Sequence, residues 1–206
     1  MRRKEFEISE IKEIQEILDI CEYGILSLVD LSNKPYSVPI NFFYYDKNIY
    51  FHSAKNGKKV DIIRENPIAC FVAVKPYSFL PSYFKNEKIA CFAGQAYTSV
   101  YCEGKITEIK DNTKKCEYLN ILMKKYQPEG GYDPIEVEDV NYTKSVENVI
   151  LFQLKTSYIS AKFKFDQHRS KDNNLDLISK LKNRGTMTDL ETAKMIEKFS
   201  INKNHL

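Results

Sequence analysis

The chain carries no GxGxxG and no strand–helix–strand alternation, which excludes a Rossmann-type dinucleotide domain. It has no tryptophan, and its seven glycines are few for 206 residues, so each glycine is expected to hold a special backbone position. The five cysteines, Cys21, Cys70, Cys91, Cys102 and Cys116, include no CxxC and stand beside no histidine cluster. This odd, scattered set calls for no metal and no disulfide framework, and it fits reduced thiols in a cytoplasmic protein. Cys70 and Cys91 sit inside apolar runs and are expected as small core residues. The longest uncharged apolar run, near residues 68–74, falls far short of the ~18 residues that cross a bilayer. Met1-Arg2-Arg3-Lys4-Glu5 has no apolar segment behind its charges, so no signal peptide is expected. The charge is balanced too: 31 basic and 28 acidic residues are interspersed and leave only +3. That argues against a nucleic-acid partner and leaves room for a small anionic ligand.

What the chain does have is 14 Tyr and 12 Phe, enough with its aliphatics for a sizeable core. Ser9 can cap a first helix in which Ile11, Ile14, Ile17, Leu18 and Cys21 recur at helical spacing. Residues 25–29, 35–45 and 49–52 then read as a three-stranded antiparallel meander, with a short turn at Asp46-Lys47-Asn48. Lys58–Glu65 reads as a short helix stopped by Pro67. Residues 68–74 read as a buried strand, 76–88 as a loop, and 89–109 as a strand pair or one bent strand. Gly94 and Gly104 there mark bends or close approaches. Asn112–Tyr126 reads as a second amphipathic helix, 127–134 as a loop, and 149–154 with 158–165 as the last strand. After Asp166 the composition turns polar, then shows two amphipathic stretches at 175–181 and 190–199. The expected protein is α+β, a small antiparallel barrel with peripheral helices over residues 1–165 and a helical C-terminal extension over 166–206.

The residues from Tyr36 to Pro67 carry the chemistry. Ser53 closes a strand, and Gly57, Lys58 and Lys59 enter a helix. A hydroxyl, free helix-end amides and two ammonium groups can hold a phosphate; the same residues also suit a solvated helix start. Val38-Pro39-Ile40-Asn41 has a proline in mid-strand, which marks an edge or a bulge. Asn41 offers donors and an acceptor to a pyrimidine-like ring edge, or is a plain surface residue. His52 lies on the opposite strand face from Phe51 and Ser53, where it meets a ligand or forms an ordinary hydrogen-bonded histidine. His168 and His205 fall in polar sequence and carry no signal.

These pieces occur in the order found in one family. The chain resembles the FMN-binding split-barrel proteins, the pyridoxamine 5′-phosphate oxidase-like group, and within it the nitroimidazole-resistance and flavin-nucleotide-binding members. The resemblance rests on Arg2-Arg3-Lys4, Tyr23-Gly24-Ile25-Leu26-Ser27, Tyr36-Ser37-Val38-Pro39-Ile40-Asn41 and Tyr50-Phe51-His52-Ser53-Ala54 with Gly57-Lys58-Lys59. Asn66-Pro67 and Ser99-Val100 with Gly104 continue it, so that it covers roughly residues 1–163. It implies a six-stranded split barrel forming a homodimer with FMN at the interface. Ser53, Lys58 and Lys59 match phosphate-holding positions, and Ser37, Val38, Pro39 and Asn41 match the strand beside the isoalloxazine. Ser99 and Val100 match positions reaching the cofactor from the second subunit, and His52 matches a histidine near the flavin and its ligand. Ile159-Ser160-Ala161-Lys162 departs from the family's Ile-Thr-Gly-Lys-like run. The implied function is an FMN-dependent oxidoreductase moving electrons from a reduced nicotinamide or similar donor to a small planar acceptor such as a nitro compound. The alternative is a non-enzymatic flavin- or haem-binding protein. The basic residues for pyridoxal phosphate as substrate are incomplete.

Overall fold

The structure is a computed structural model; it describes the backbone of residues 4–201 and the side chains of residues 4–199. Arg2, Arg3 and His205 lie outside the described residues. The elements run β1 (Glu7–Ile8), α1 (Ile11–Ile20), β2 (Gly24–Val29), β3 (Pro35–Ile40), β4 (Phe43–Tyr45), β5 (Asn48–Ala54), α2 (Lys58–Glu65), β6 (Ile68–Leu80), β7 (Gly94–Ile109), α3 (Asn112–Tyr126), α4 (Val140–Asn148), β8 (Val149–Lys164), α5 (Lys171–Arg184) and α6 (Met187–Ile196). The strand order is β3-β2-β6-β7-β8-β5-β4, and β1 pairs with β8. The fold is α+β with an antiparallel sheet that stays open between β3 and β4, which is the split of a split barrel. Six strands have six residues or more, matching the six expected; β1 and β4 are short additions of two and three residues.

The expected meander is corrected here. β2 pairs with β3 and β4 pairs with β5, yet β3 and β4 stand at opposite ends of the strand order. The reason lies at Phe42. Its N–H donates to the Tyr126 hydroxyl at 3.0 Å, and that hydroxyl donates back to the Phe42 carbonyl at 3.2 Å. A side chain on α3 thus takes the backbone bonds that a continuing ladder would need. Both hairpins have local causes. The Asp30 carboxylate accepts from Ser32 and Lys34 amides at 2.9 Å each. Asp46 and Lys47 both take positive φ, as a tight two-residue hairpin requires.

The chain divides into two compact units. One comprises Ile11–Ala73 and Val100–Ile159. Phe42 meets Phe71 edge to face at 4.7 Å there, and Phe43 stacks on Tyr50 at 5.0 Å under α3. The other comprises Met1–Glu10, Val74–Ser99 and Ser160–Leu206, as far as these are described. In it Phe163 and Phe199 lie 4.0 Å apart, and Asp166 meets Lys85 at 2.6 Å and Arg169 at 3.2 Å. Among the described residues no helix is long and apolar enough to cross a membrane.

Other expectations change as well. β6 alternates inward and outward instead of being buried throughout, and it runs on through Pro76 to Leu80 where a loop was expected. Pro76 lies beyond Ala73, the last residue of β6 that pairs with β2, where the strand has no β2 ladder for a proline to interrupt. Cys91 is exposed in a single 3-10 turn, Ala90–Phe92, and Cys70 is half-buried, so neither is the core residue its apolar surroundings implied. α4 was not anticipated; Val146 is its one fully covered side chain, too little for a helical stripe.

Candidate functional site

α2 opens on Gly57, whose φ of 127° suits glycine and whose surroundings are open. The amides of Val60 and Asp61 turn back to the Gly57 carbonyl at 2.8 and 3.1 Å. No side chain caps this end. The Lys58 and Lys59 amides therefore point out of the first turn, as first-turn amides do, at the positive end of the helix. The two lysine side chains diverge. Lys58 Nζ lies 5.0 Å from the centre of the Tyr36 ring on β3, and Lys59 Nζ lies 5.7 Å from that of Phe51 on β5. Burial lowers the pKa of Lys59.

The end of β5, from Phe51 to Ala54, alternates as its sequence implied. Phe51 and Ser53 face inward and His52 faces out. Partial burial of the His52 ring, and then the nearby Lys59 charge, lower its pKa, so it is neutral at neutral pH. Ser53 is only 9% exposed, at the last turn of the strand before Lys58. On β3, Ser37 is exposed and its hydroxyl lies 2.9 Å from that of Ser27. Both line a cavity of about 330 Å³ with Pro35, Cys70, Tyr101 and Glu103. The Tyr101 hydroxyl donates to Glu103 at 2.7 Å. Val38 is half-buried, and Pro39 is exposed opposite Ile25 on the edge strand.

α2 thus brings Lys58 to β3 and Lys59 to β5 and His52. Asn41 lies elsewhere: its amide donates to the Glu22 carbonyl at 3.3 Å, and it lines a different cavity, with Lys125. Val100 is fully buried and Ser99 half-buried on β7. Sequence reasoning passed over Tyr101 and Lys125. Tyr101 follows directly on Ser99-Val100, but nothing local separates it from thirteen other tyrosines. Lys125 is one of the ordinary basic residues that end a helix.

A family model described as pyridoxamine 5′-phosphate oxidase matches residues 10–162. The chain belongs to the pyridoxamine 5′-phosphate oxidase family. The match covers every strand of the sheet except β1 and the last residues of β8. No curated protein matches this chain. Solved structures do. A candidate 5-nitroimidazole antibiotic resistance protein from Bacteroides thetaiotaomicron is 22% identical at a TM-score of 0.61, over 76% of this chain and 85% of that one. The flavocytochrome Anf3 from Azotobacter vinelandii is 17% identical at 0.64, over 77% and 69%. A FAD- and haem-binding protein from Mycobacterium smegmatis is 14% identical at 0.63, over 77% and 73%. At these identities the likeness is one of fold.

Proposed function

We propose that this chain is an FMN-dependent oxidoreductase, acting as a homodimer on a small planar acceptor, with nitro compounds among those to test and a reduced nicotinamide or similar donor. The observation that carries the reading is the start of α2. Two outward amides, two lysines and an open glycine stand there beside β3 and β5, in a chain of the pyridoxamine 5′-phosphate oxidase family. That end suits a phosphate by charge and by donors. Lys58, Lys59 and Ser53 would hold it. Ser37, Val38 and Pro39 would line the ring, and Ser99 with the backbone of the fully buried Val100 would reach it from the second subunit; Asn41, turned to the Glu22 carbonyl, would not take part. FMN, when bound, supplies hydride and single-electron transfer. The chain's part is to hold, orient and exclude water. His52, neutral and outward-facing beside Lys59, is the group suited to take or give a proton at the acceptor.

The test is the visible spectrum of the purified protein before and after anaerobic NADPH. A flavin band that bleaches and returns with a nitro acceptor supports the reading; a flavin that stays oxidised overturns the reductase. A second reading, a flavin- or haem-binding protein without turnover, draws on the Azotobacter and Mycobacterium proteins of like fold, which are described as a flavocytochrome and as FAD- and haem-binding. A Soret band would select it. Sedimentation tests assembly: a monomer binding FMN one to one overturns the dimer.

A further inference from the structure

A cavity of about 220 Å³ lies within the unit that holds α5 and α6, where the two 3-10 turns after β6, the start of β7 and the end of β8 come together. Lys85, Cys91, Lys164, Asp166, His168 and Arg169 line it. The last four of these lie beyond residue 162, where the match to the family model ends. One carboxylate sits at the centre of the cluster. Asp166 takes a positive φ of 57°, and its backbone carbonyl accepts from the Arg169 amide at 3.0 Å, which fixes the turn between β8 and α5. Asp166 Oδ2 meets Lys85 Nζ at 2.6 Å and Arg169 Nε at 3.2 Å. The Lys85 and Asp166 side chains are only 6% and 8% exposed, so this charge is held largely out of water. A single carboxylate oxygen thus faces both cations. Arg169 Nε is itself buried and has no hydrogen-bond partner. Lys164 adds a third cation. Its Nζ lies 5.7 Å from the centre of the Tyr97 ring, and among the described residues it pairs with no carboxylate. The His168 ring is set edge to face against Phe6 at 5.8 Å.

Three cations against one carboxylate leave two positive charges on the cavity wall. A structural brace accounts for the Lys85–Asp166 pair, but it needs one cation. Further cations crowded beside that pair, partly desolvated, raise the energy unless an anion joins them. The excess matches a dianion, and guanidinium and ammonium donors match phosphate oxygens. The volume falls below the ~300–1,000 Å³ of pockets for drug-sized ligands, so the cavity suits an oxyanion or a short chain rather than a flavin nucleotide. We propose that this cavity binds a small phosphate-type dianion, as free phosphate or as the end of a short phosphomonoester, between Arg169, Lys164 and Lys85. The site shares no residue with the start of α2 and does not depend on flavin.

Cys91, exposed on the cavity wall, serves as a local probe. The full-length protein is alkylated with iodoacetamide at about pH 8, where a phosphomonoester is doubly charged. Sodium chloride holds the ionic strength constant, and peptide mass spectrometry reads each cysteine. Phosphate should slow the labelling of Cys91 several-fold and saturably, and leave Cys70 unchanged. Lys164→Gln keeps the Lys85–Asp166 pair and should raise the phosphate concentration for half-protection at least about tenfold. Lys58→Ala with Lys59→Ala should be protected as the wild type is. Tighter protection by glycerol phosphate supports the monoester as the source; tighter protection by phosphate supports the free ion. Labelling of Cys91 that phosphate does not slow overturns the site. So does protection by acetate equal to that by phosphate, or an unchanged phosphate dependence in Lys164→Gln. Loss of protection in the Lys58→Ala, Lys59→Ala variant moves the anion to α2 and overturns it as well.

Discussion

The Lys58 ammonium stands 5.0 Å from the centre of the Tyr36 ring. This contact ties the first turn of α2 to β3, the strand that carries Ser37, Val38 and Pro39. The next residue, Lys59, turns to Phe51 on β5. One helix end therefore presents one cation toward each of two strands that are remote in the sheet order. Such contacts hold a cation in place without neutralising it, so both charges stay available to an anion.

That arrangement predicts cofactor choice. Charge-assisted contacts to a phosphate are worth about 1.5–3 kcal/mol each. Wild-type protein should bind FMN at least about tenfold more tightly than riboflavin. Lys58→Ala with Lys59→Ala should weaken FMN by a similar factor and leave riboflavin unchanged. Flavin-fluorescence titration reads both. Equal affinities for the two flavins in the wild type would remove the phosphate site.

His52 predicts a pH signature. Its folded pKa lies below the ordinary 6.5 because of burial and then Lys59. As pH falls through 6.5, the unfolded chain takes up the proton before the folded one does. Stability therefore drops from that point down to the folded pKa, and the effect is absent above it. His52→Gln lacks this term, so its stability relative to wild type should rise on going from about pH 8 to about pH 5 in urea titrations. The same variant should keep its flavin and change turnover. Parallel stability curves for the two proteins would show that His52 titrates freely; loss of flavin would make it a cofactor-holding residue.

Much of this was legible locally. α2 and α3 start and stop where the sequence placed them, at Gly57 and Asn66 and at Asp111 and Gln127. Asp111 caps α3 by accepting from the Lys114 amide at 2.8 Å, a signal contained within four residues. The outward His52 followed from strand alternation. The break between β3 and β4 was not legible, because residues 35–45 carry no charge and no glycine, with only Ser37 and Asn41 polar among them, and the interrupting hydroxyl, Tyr126, is 84 positions away. Lys125 was hidden for the same reason: Leu18 and Phe42 reach it only in the folded chain. The separation of Asn41 from Ser37 likewise depends on where the strand leaves the sheet.

Two glycines predict steep losses for a small change. A Cβ on Gly104 would collide with the Lys155 carbonyl and backbone, and one on Gly24 with the Phe71 ring. The first obstacle is a neighbouring strand's backbone, the second a fully buried side chain. Gly104→Ala and Gly24→Ala should each destabilise by about 1–3 kcal/mol, with Gly104→Ala the worse because backbone yields less than a ring. Thermal melts check this. A melting temperature for Gly104→Ala unchanged from wild type would mean that β7 and β8 do not approach as closely as the structure has them.

The last prediction concerns Asp189, fully buried in the unit formed with β6 residues 74–80. It accepts from the Ser78 hydroxyl at 2.5 Å and from Arg184 Nε at 2.8 Å, and it completes a capping box with Thr186 at the start of α6. The Arg184 hydrogen bonds, then those of Ser78 and Thr186, hold its pKa well below the usual carboxylate range despite burial. A depressed carboxylate stabilises fully above its ordinary 3.8 and loses that contribution as pH falls through the folded value. Wild type should therefore lose stability in acid more steeply than Asp189→Asn. Near neutrality Asp189→Ala should cost about 3 kcal/mol, the low end for a broken buried pair, because Arg184 keeps some solvent contact. Arg184→Ala should cost at least as much, since it strands a fully buried carboxylate. Removing both should be milder than the sum of the two, because no unpaired charge is then left inside. Urea unfolding of the four proteins forms the cycle; strictly additive losses would show that the two residues act separately.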